Sequence, residues 1–297
     1  MVSSGKLYET NFGDAENAND EGAKDAMNWV KSIQGGKTDK KRNSQDIRQK
    51  IENTMDSINI DEALSLTADS KTLLIKCDSI DFDVFNFKEV VEEREMFVLT
   101  SYLMHKHQLF SALKMDPELY FKFISRVQDF YNPGFVEYHN KTHGTDVCQT
   151  TYFFMTKCEM MKICHVSEQE FGAIVICTAC HDFEHPGVNN PFLVESRSPW
   201  AIEYNDKSPL ENHHIASTFS IINSEDFNLF KNLNNDEYKM VRKTMVEIVL
   251  ATDAAHHFTE VGKFKSRVSA EDFAPEEGDD KMSVLKMAVH LADISNP

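Results

Sequence analysis

Glycine and proline are scarce in this chain, at 11 and 8 among 297 residues. An all-β protein needs more turn punctuation than that, so long helices are the expected architecture. Cysteine is sparse too. Six in a chain of this length make no disulfide framework, and a reduced, cytoplasmic setting is the expectation. Positive charge is in short supply: 31 Lys and Arg face 48 Asp and Glu, for a net charge of −17. Such a surface repels a nucleic-acid backbone or an anionic membrane, which excludes both as main partners. Long apolar runs are missing as well. The most apolar stretch, GAIVICTAC over Gly172–Cys180, is too short to span a bilayer and reads as a buried helix. The opening MVSSGKL lacks the apolar segment of a secretory signal.

What is present is a globular composition, 41% hydrophobic and 27% charged. The length allows two domains at roughly 150 residues each. The pattern divides otherwise. Residues 1–78 read as a mobile, polar N-terminal region with short helices at most. Residues 79–297 read as one helical domain, entered through the apolar-rich CDSIDFDVFNF segment at 77–87. Within the first region, Ala26, Met27, Trp29, Val30 and Ile33 share one side of a short helix with Lys24 and Lys31 nearby. That pattern fits a calmodulin target, or a weak helix that docks on its own domain.

Helix signals recur from Phe82 onward. Val90, Val91, Phe97, Val98, Tyr102 and Leu103 suit one amphipathic helix. Asp116-Pro117-Glu118 reads as a helix start whose apolar face runs from Leu119 to Phe130, with Asn132-Pro133-Gly134 as its end. Ser167–Glu170 resembles a capping box ahead of the Phe171–Cys180 helix. Glu237–Ala251 is another long periodic helix. No alternation of period two stands out. The fold expected is all-α, a multi-helical bundle.

Four islands rich in His and Asp or Glu carry the chemistry. The first spans Tyr138–Asp146, with His139 and His143 at i, i+4 on one helix face if the helix starts by His139. The second is His181-Asp182-Phe183-Glu184-His185-Pro186-Gly187, where Pro-Gly would stop a helix and leave these side chains at its end. The third is Glu211-Asn212-His213-His214 and the fourth His290-Leu291-Ala292-Asp293, with Thr252-Asp253 beside them at a helix end. Any one island is compatible with a surface or capped core histidine pair. Four in one helical domain point to a metal site. Two imidazoles, an adjacent carboxylate and a remote Asp suit zinc or another borderline divalent ion. A shared carboxylate can reach a second, harder ion such as magnesium. Cys177 and Cys180 have the spacing of half a zinc site or a redox pair, but no second pair complements them and their apolar surroundings favour two small core residues.

At these residues the chain resembles the class I 3′,5′-cyclic nucleotide phosphodiesterases, a branch of the metal-dependent His-Asp superfamily. The matching strings are YHNKTHGTDV (138–147), HDFEHPGVNNPFL (181–193), LENHHIAS (210–217), LATD with His257-Phe258, and HLADISNP (290–297). They occur in family order and cover the chain from about Asp81. AIEYNDKSPLENHH over 201–214 most resembles calmodulin-stimulated members. The resemblance implies that His143, His181, Asp182 and Asp293 bind a first metal, usually zinc. It implies that Asp182 bridges to a second ion, usually magnesium (manganese being the substitute), whose waters are held by His185, Glu211 and Thr252. His139 would be the acid that protonates the departing O3′. Tyr138, Ile294 and Asn296 would line the nucleotide pocket beside His139, Asp182 and Asp293.

The function this implies is metal-dependent hydrolysis of cAMP or cGMP in signalling. Two departures accompany it. Ala254 stands where the family usually has a pocket-lining Met. The family domain also continues for several helices past the Asp293 motif, so the bundle is expected to lack its last helices and with them the purine-binding residues and an acidic partner for His139. An alternative reading follows from that expectation, a metal-binding homologue with impaired catalysis and a regulatory role. Another His-Asp phosphohydrolase is a third reading, and the YHN and ADISNP strings count against it.

Overall fold

The computed structural model describes residues 44–131 and 136–295, and these contain helices and turns but no strand. From Gln45 onward they belong to one compact unit. The α-helices are α1 (Ser44–Ser57), α2 (Ile60–Ala63), α3 (Ala68–Leu74), α4 (Val84–Val90), α5 (Glu95–Lys106), α6 (Leu109–Ala112), α7 (Pro117–Asp129) and α8 (Lys141–Lys157). They continue as α9 (Met160–Ile163), α10 (Glu168–Ala179), α11 (Asn190–Glu195), α12 (Pro199–Glu203), α13 (Pro209–Ile222), α14 (Asn235–Leu250), α15 (His257–Val268) and α16 (Gly278–Ile294). None among the described residues is long and apolar enough to cross a membrane.

The apolar run at 172–180 becomes the axis of the bundle. Nine consecutive residues of α10, Phe171 to Ala179, are buried, and the helix packs against α5, α6, α8 and α14. A helix apolar all round has to be enclosed on every side. Its N-terminus is the expected capping box: Ser167 accepts from the Glu170 amide while the Glu170 carboxylate accepts from the Ser167 amide. Asp116 caps α7 with Pro117 in the first turn, and Asn234 with Glu237 forms a second capping box on α14. Cys177 and Cys180 are buried and carry no disulfide. Burial pushes both thiols up, which fits core residues rather than a redox pair.

Three expectations change. The single helix through Val90 and Leu103 is two helices. The Glu92-Glu93-Arg94-Glu95 run breaks it, with Glu92 and Glu93 both at positive φ, and Lys88 and Lys141 pairing with Glu93 at the break. Phe130, read as the end of the α7 core face, lies outside the core with the Arg126 guanidinium 3.8 Å from its ring centre. Residues 45–78 do not stand apart from the domain, since Leu64, Leu74 and Cys77 are fully buried in the core shared with α5, α8 and α10. The Ala26–Ile33 pattern and Asn132-Pro133-Gly134 lie outside the described residues.

One glycine sets how closely two of these helices pack. A Cβ on Gly144 would sit 2.7 Å from the Ala179 carbonyl oxygen and 2.9 Å from both Met96 Cε and Tyr131 Oη. Only glycine lets α8 approach the C-terminus of α10 this closely, and that approach brings the first two histidine islands together.

Candidate metal centre

Three chain segments converge. His143 lies in the first turn of α8, which Asn140 caps by accepting from the Thr142 amide. His181 and Asp182 occupy the turn after α10, and the Tyr131 hydroxyl accepts from the Asp182 amide at 3.1 Å. Asp293 lies in the last turn of α16. One ligand atom from each of the four lies within 4.8 Å of the others. His143 Nε2 is 3.0 Å from Asp293 Oδ1 and 3.4 Å from Asp182 Oδ2. His181 Nε2 is 3.2 Å and 3.3 Å from the same two oxygens.

These spacings suit a metal ion. Ligand bonds of about 2.0–2.1 Å separate neighbouring ligand atoms by about 2.8–3.4 Å around an octahedral or tetrahedral ion. His181 Nδ1 lies 2.8 Å from the Thr178 carbonyl, which fixes the proton on Nδ1 and turns the Nε2 lone pair toward the carboxylates. Charge agrees with geometry. Burial opposes ionisation of Asp293, yet the His181 charge and hydrogen bonds from His143 and His181 hold it down at about 2. Asp182 is likewise depressed, against burial, by the same imidazoles. His143 and His181 are raised in turn, the carboxylates outweighing burial. Two carboxylates here demand positive charge, and a divalent cation competes with protons for the same nitrogens.

A second group adjoins the first through the shared Asp182. It contains His185 and His214. His214 donates from Nδ1 to the Phe183 carbonyl at 2.6 Å, and its buried Nε2 lies 3.7 Å from Asp182 Oδ1 with no hydrogen-bond partner among the described residues. His185 Nδ1 accepts from the Gly187 amide. Burial pushes His185 down to about 4 and His214 to about 3, so both rings are neutral at pH 7. A neutral, buried ring nitrogen without a partner fits a water or an ion.

Glu211 is buried, accepts from Asn190 Nδ2 at 2.9 Å, and is raised to about 7, mainly by burial and further by the charges of Asp253 and Asp182. The Thr252 hydroxyl is buried and donates to the Val249 carbonyl. His139 precedes the Asn140 cap, so it is not one turn below His143 on a shared helix; the two rings are still 5.8 Å apart. The His139 ring stacks on His185 with centroids 4.0 Å apart. Burial lowers His139 and Asp182 only partly restores it, so the adjacent carboxylate does not by itself hold this ring protonated. Tyr138 is half exposed with its ring 4.8 Å from that of His143, and Ile294 is half exposed at the end of α16. Asn296 lies outside the described residues.

Sequence reasoning left several neighbours unassigned. Tyr131, His213 and His214 all touch the 181–187 turn, His213 through Glu184. Both histidines of LENHH were visible as an island, whereas nothing in the sequence linked Tyr131 to Asp182. A cavity of about 340 Å³ between α14, α15 and α16 is lined by His256 and His290 but by none of the cluster ligands.

Comparison with known proteins covers the same segments. A family model described as 3′5′-cyclic nucleotide phosphodiesterase matches residues 138–297. The chain is 35% identical over 216 residues to the human dual specificity calcium/calmodulin-dependent 3′,5′-cyclic nucleotide phosphodiesterase 1B, covering 73% of this chain and 39% of that one. It is 34% identical over 216 residues to the 3′,5′-cyclic-nucleotide phosphodiesterase regA of Dictyostelium discoideum, covering 73% of this chain and 26% of that one. Among solved structures it resembles the phosphodiesterase domain of the RhoPDE fusion protein from the choanoflagellate Salpingoeca rosetta. That match has 27% identity and a TM-score of 0.63, covering 80% of this chain and 70% of the other. The chain thus spans well under half the length of the curated relatives it matches.

Proposed function

Because the chain belongs to the 3′,5′-cyclic nucleotide phosphodiesterase family, we propose that it hydrolyses 3′,5′-cyclic nucleotides to 5′-nucleotides with the help of two divalent cations. The observation that carries this reading is the convergence of His143, His181, Asp182 and Asp293 at metal-ligand spacing inside the matched region. In this reading those four residues would hold zinc. Asp182 would also help hold a second ion, magnesium or manganese, with His185, Glu211 and Thr252 as the groups available to that ion's water shell. Such ions supply charge neutralisation at the phosphoryl oxygens and make a water acidic enough to attack.

The protein's own groups do the rest. Asp182 and Asp293 are the carboxylates that would hold the cations. His139 passes a proton to O3′ as the ring opens, the role for which an imidazole near pH 7 is suited. Burial lowers its proton affinity, while Asp182 and a bound phosphodiester anion both act to raise it. Tyr138 and Ile294, both half exposed beside the cluster, would line the near side of the nucleotide pocket. Calmodulin enters as a partner through the human relative's name and the basic amphipathic pattern at Ala26–Ile33. A cytoplasmic setting rests on six cysteines without a disulfide among them.

The test is removal and return of metal. Chelator-treated protein should lose turnover of both cAMP and cGMP and regain it with zinc plus magnesium. Undiminished turnover after verified metal depletion overturns the mechanism. Full metal occupancy with no turnover of either nucleotide would instead mark a metal-binding, non-hydrolysing relative.

A further inference from the structure

The turn over 181–187 carries Asp182, the carboxylate shared by both ion groups, and it is gripped from one side by two consecutive histidines of α13. His214 donates to the Phe183 carbonyl at 2.6 Å. His213 Nε2 lies 2.8 Å from Glu184 Oε2 and 3.3 Å from Ser217 Oγ. The far face of the His213 ring stacks on Trp200 of α12, with centroids 3.6 Å apart and planes 20° from parallel. Trp200 is itself partly buried against the small Leu193, Ala201 and Leu210 cluster. Glu184 adopts φ +64°, a left-handed conformation that is uncommon and costly for a residue with a Cβ. The residue two before it is Asp182 and the residue after it is His185.

We propose that Glu184, His213 and Trp200 form a positioning clamp: Trp200 fixes the His213 ring, His213 fixes Glu184, and Glu184 fixes the turn that aims Asp182 at the metal ions. The clamp rests on the reading of this site as a metal centre. A left-handed residue between two metal-side groups is a point where the turn would otherwise relax. The 2.8 Å contact with His213 and the stack on Trp200 over-determine it. Removing a partner that orients a ligand weakens metal affinity about 10- to 100-fold. Each member of this chain acts through the next, so their losses should overlap rather than add.

The experiment measures zinc affinity of the full chain by competition with a chromogenic chelator. It uses a Trp29→Phe background, so that emission reports Trp200. Glu184→Ala and His213→Phe should each weaken zinc binding about tenfold. The double variant should be no weaker than the worse single one. Zinc loading should change Trp200 emission in the parent and leave it unchanged in Glu184→Ala. If His213→Phe does not fold, Trp200→Leu (tested against Trp200→Phe, which keeps a ring) takes its place, with loss expected only for leucine. Parent-like zinc affinity in both single variants, or losses that simply add, overturns the clamp. Emission indifferent to zinc removes Trp200 from it. Zinc affinity that survives Asp182→Ala would instead mark failure of the metal-centre reading itself.

Discussion

The two ion groups share Asp182 yet are built on opposite electrostatics. In the first, Asp182 and Asp293 face His143 and His181 at 3.0–3.4 Å, and each raises or lowers the other's proton affinity in the direction of charge. In the second, burial dominates: His185 and His214 fall to about 4 and about 3 and remain neutral. The difference is carboxylate count. Two carboxylates overcome the desolvation of two imidazoles; one carboxylate, already engaged by the first pair, does not. The first group is therefore suited to direct ligation of a cation. The second offers neutral nitrogens and buried hydroxyl or carboxyl groups, the surroundings of an ion that keeps its waters.

Asp182→Ala should break both groups at once. Metal content falls at both sites, and turnover drops by about three orders of magnitude or more, as several kcal/mol of charge stabilisation are lost. Elemental analysis beside a cyclic-nucleotide assay checks it. His139→Ala should separate chemistry from ion binding: both metals stay, and kcat falls by about 10²- to 10⁴-fold. His185→Ala should split the two groups, with zinc retained and magnesium affinity weakened by about 10- to 100-fold. Equal loss of both ions in that variant would show that the groups are one site.

The smallest effect is a pH dependence of stability. Glu211 titrates at about 7 in the folded protein, against about 4.3 for an unfolded glutamate. The folded state therefore holds a proton that the unfolded chain gives up across that window. The contribution is full below about 4.3 and is lost as pH rises through 7. For metal-free protein, the stability lost between pH 5 and pH 8 should be about 2–3 kcal/mol greater than in Glu211→Gln. Urea midpoints at the two pH values measure it. A bound divalent cation should shrink the difference by favouring the carboxylate.

Much of this organisation was legible in advance. The Ser167–Glu170 box, the Asp116-Pro117 start and the apolar run of α10 are local signals, and the structure places helices where they point. Each depends only on residues a few positions apart. The single helix expected through Val90 was wrong because a short acidic run took up two left-handed residues, held by Lys141 from α8. The shared helix expected for His139 and His143 failed because Asn140 caps the chain between them. In both cases a contact or cap outran periodicity. Tyr131, Trp200 and His213 were unreadable as a set, since their partners stand 51, 13 and 29 residues away in sequence.

By itself the sequence determined the class of this protein. Scarce turns meant helices, the five ordered strings meant the cyclic nucleotide phosphodiesterase family, and the residue types of the islands meant a mixed nitrogen and oxygen ligand set suited to a metal. Only the tertiary structure decided which histidine faces which carboxylate and which rings stay neutral. Those properties arise from distances of 3–4 Å between groups more than a hundred residues apart, and from burial that no residue carries alone. The close approach allowed at Gly144 and the turn held at Glu184 turn four separate islands into one site.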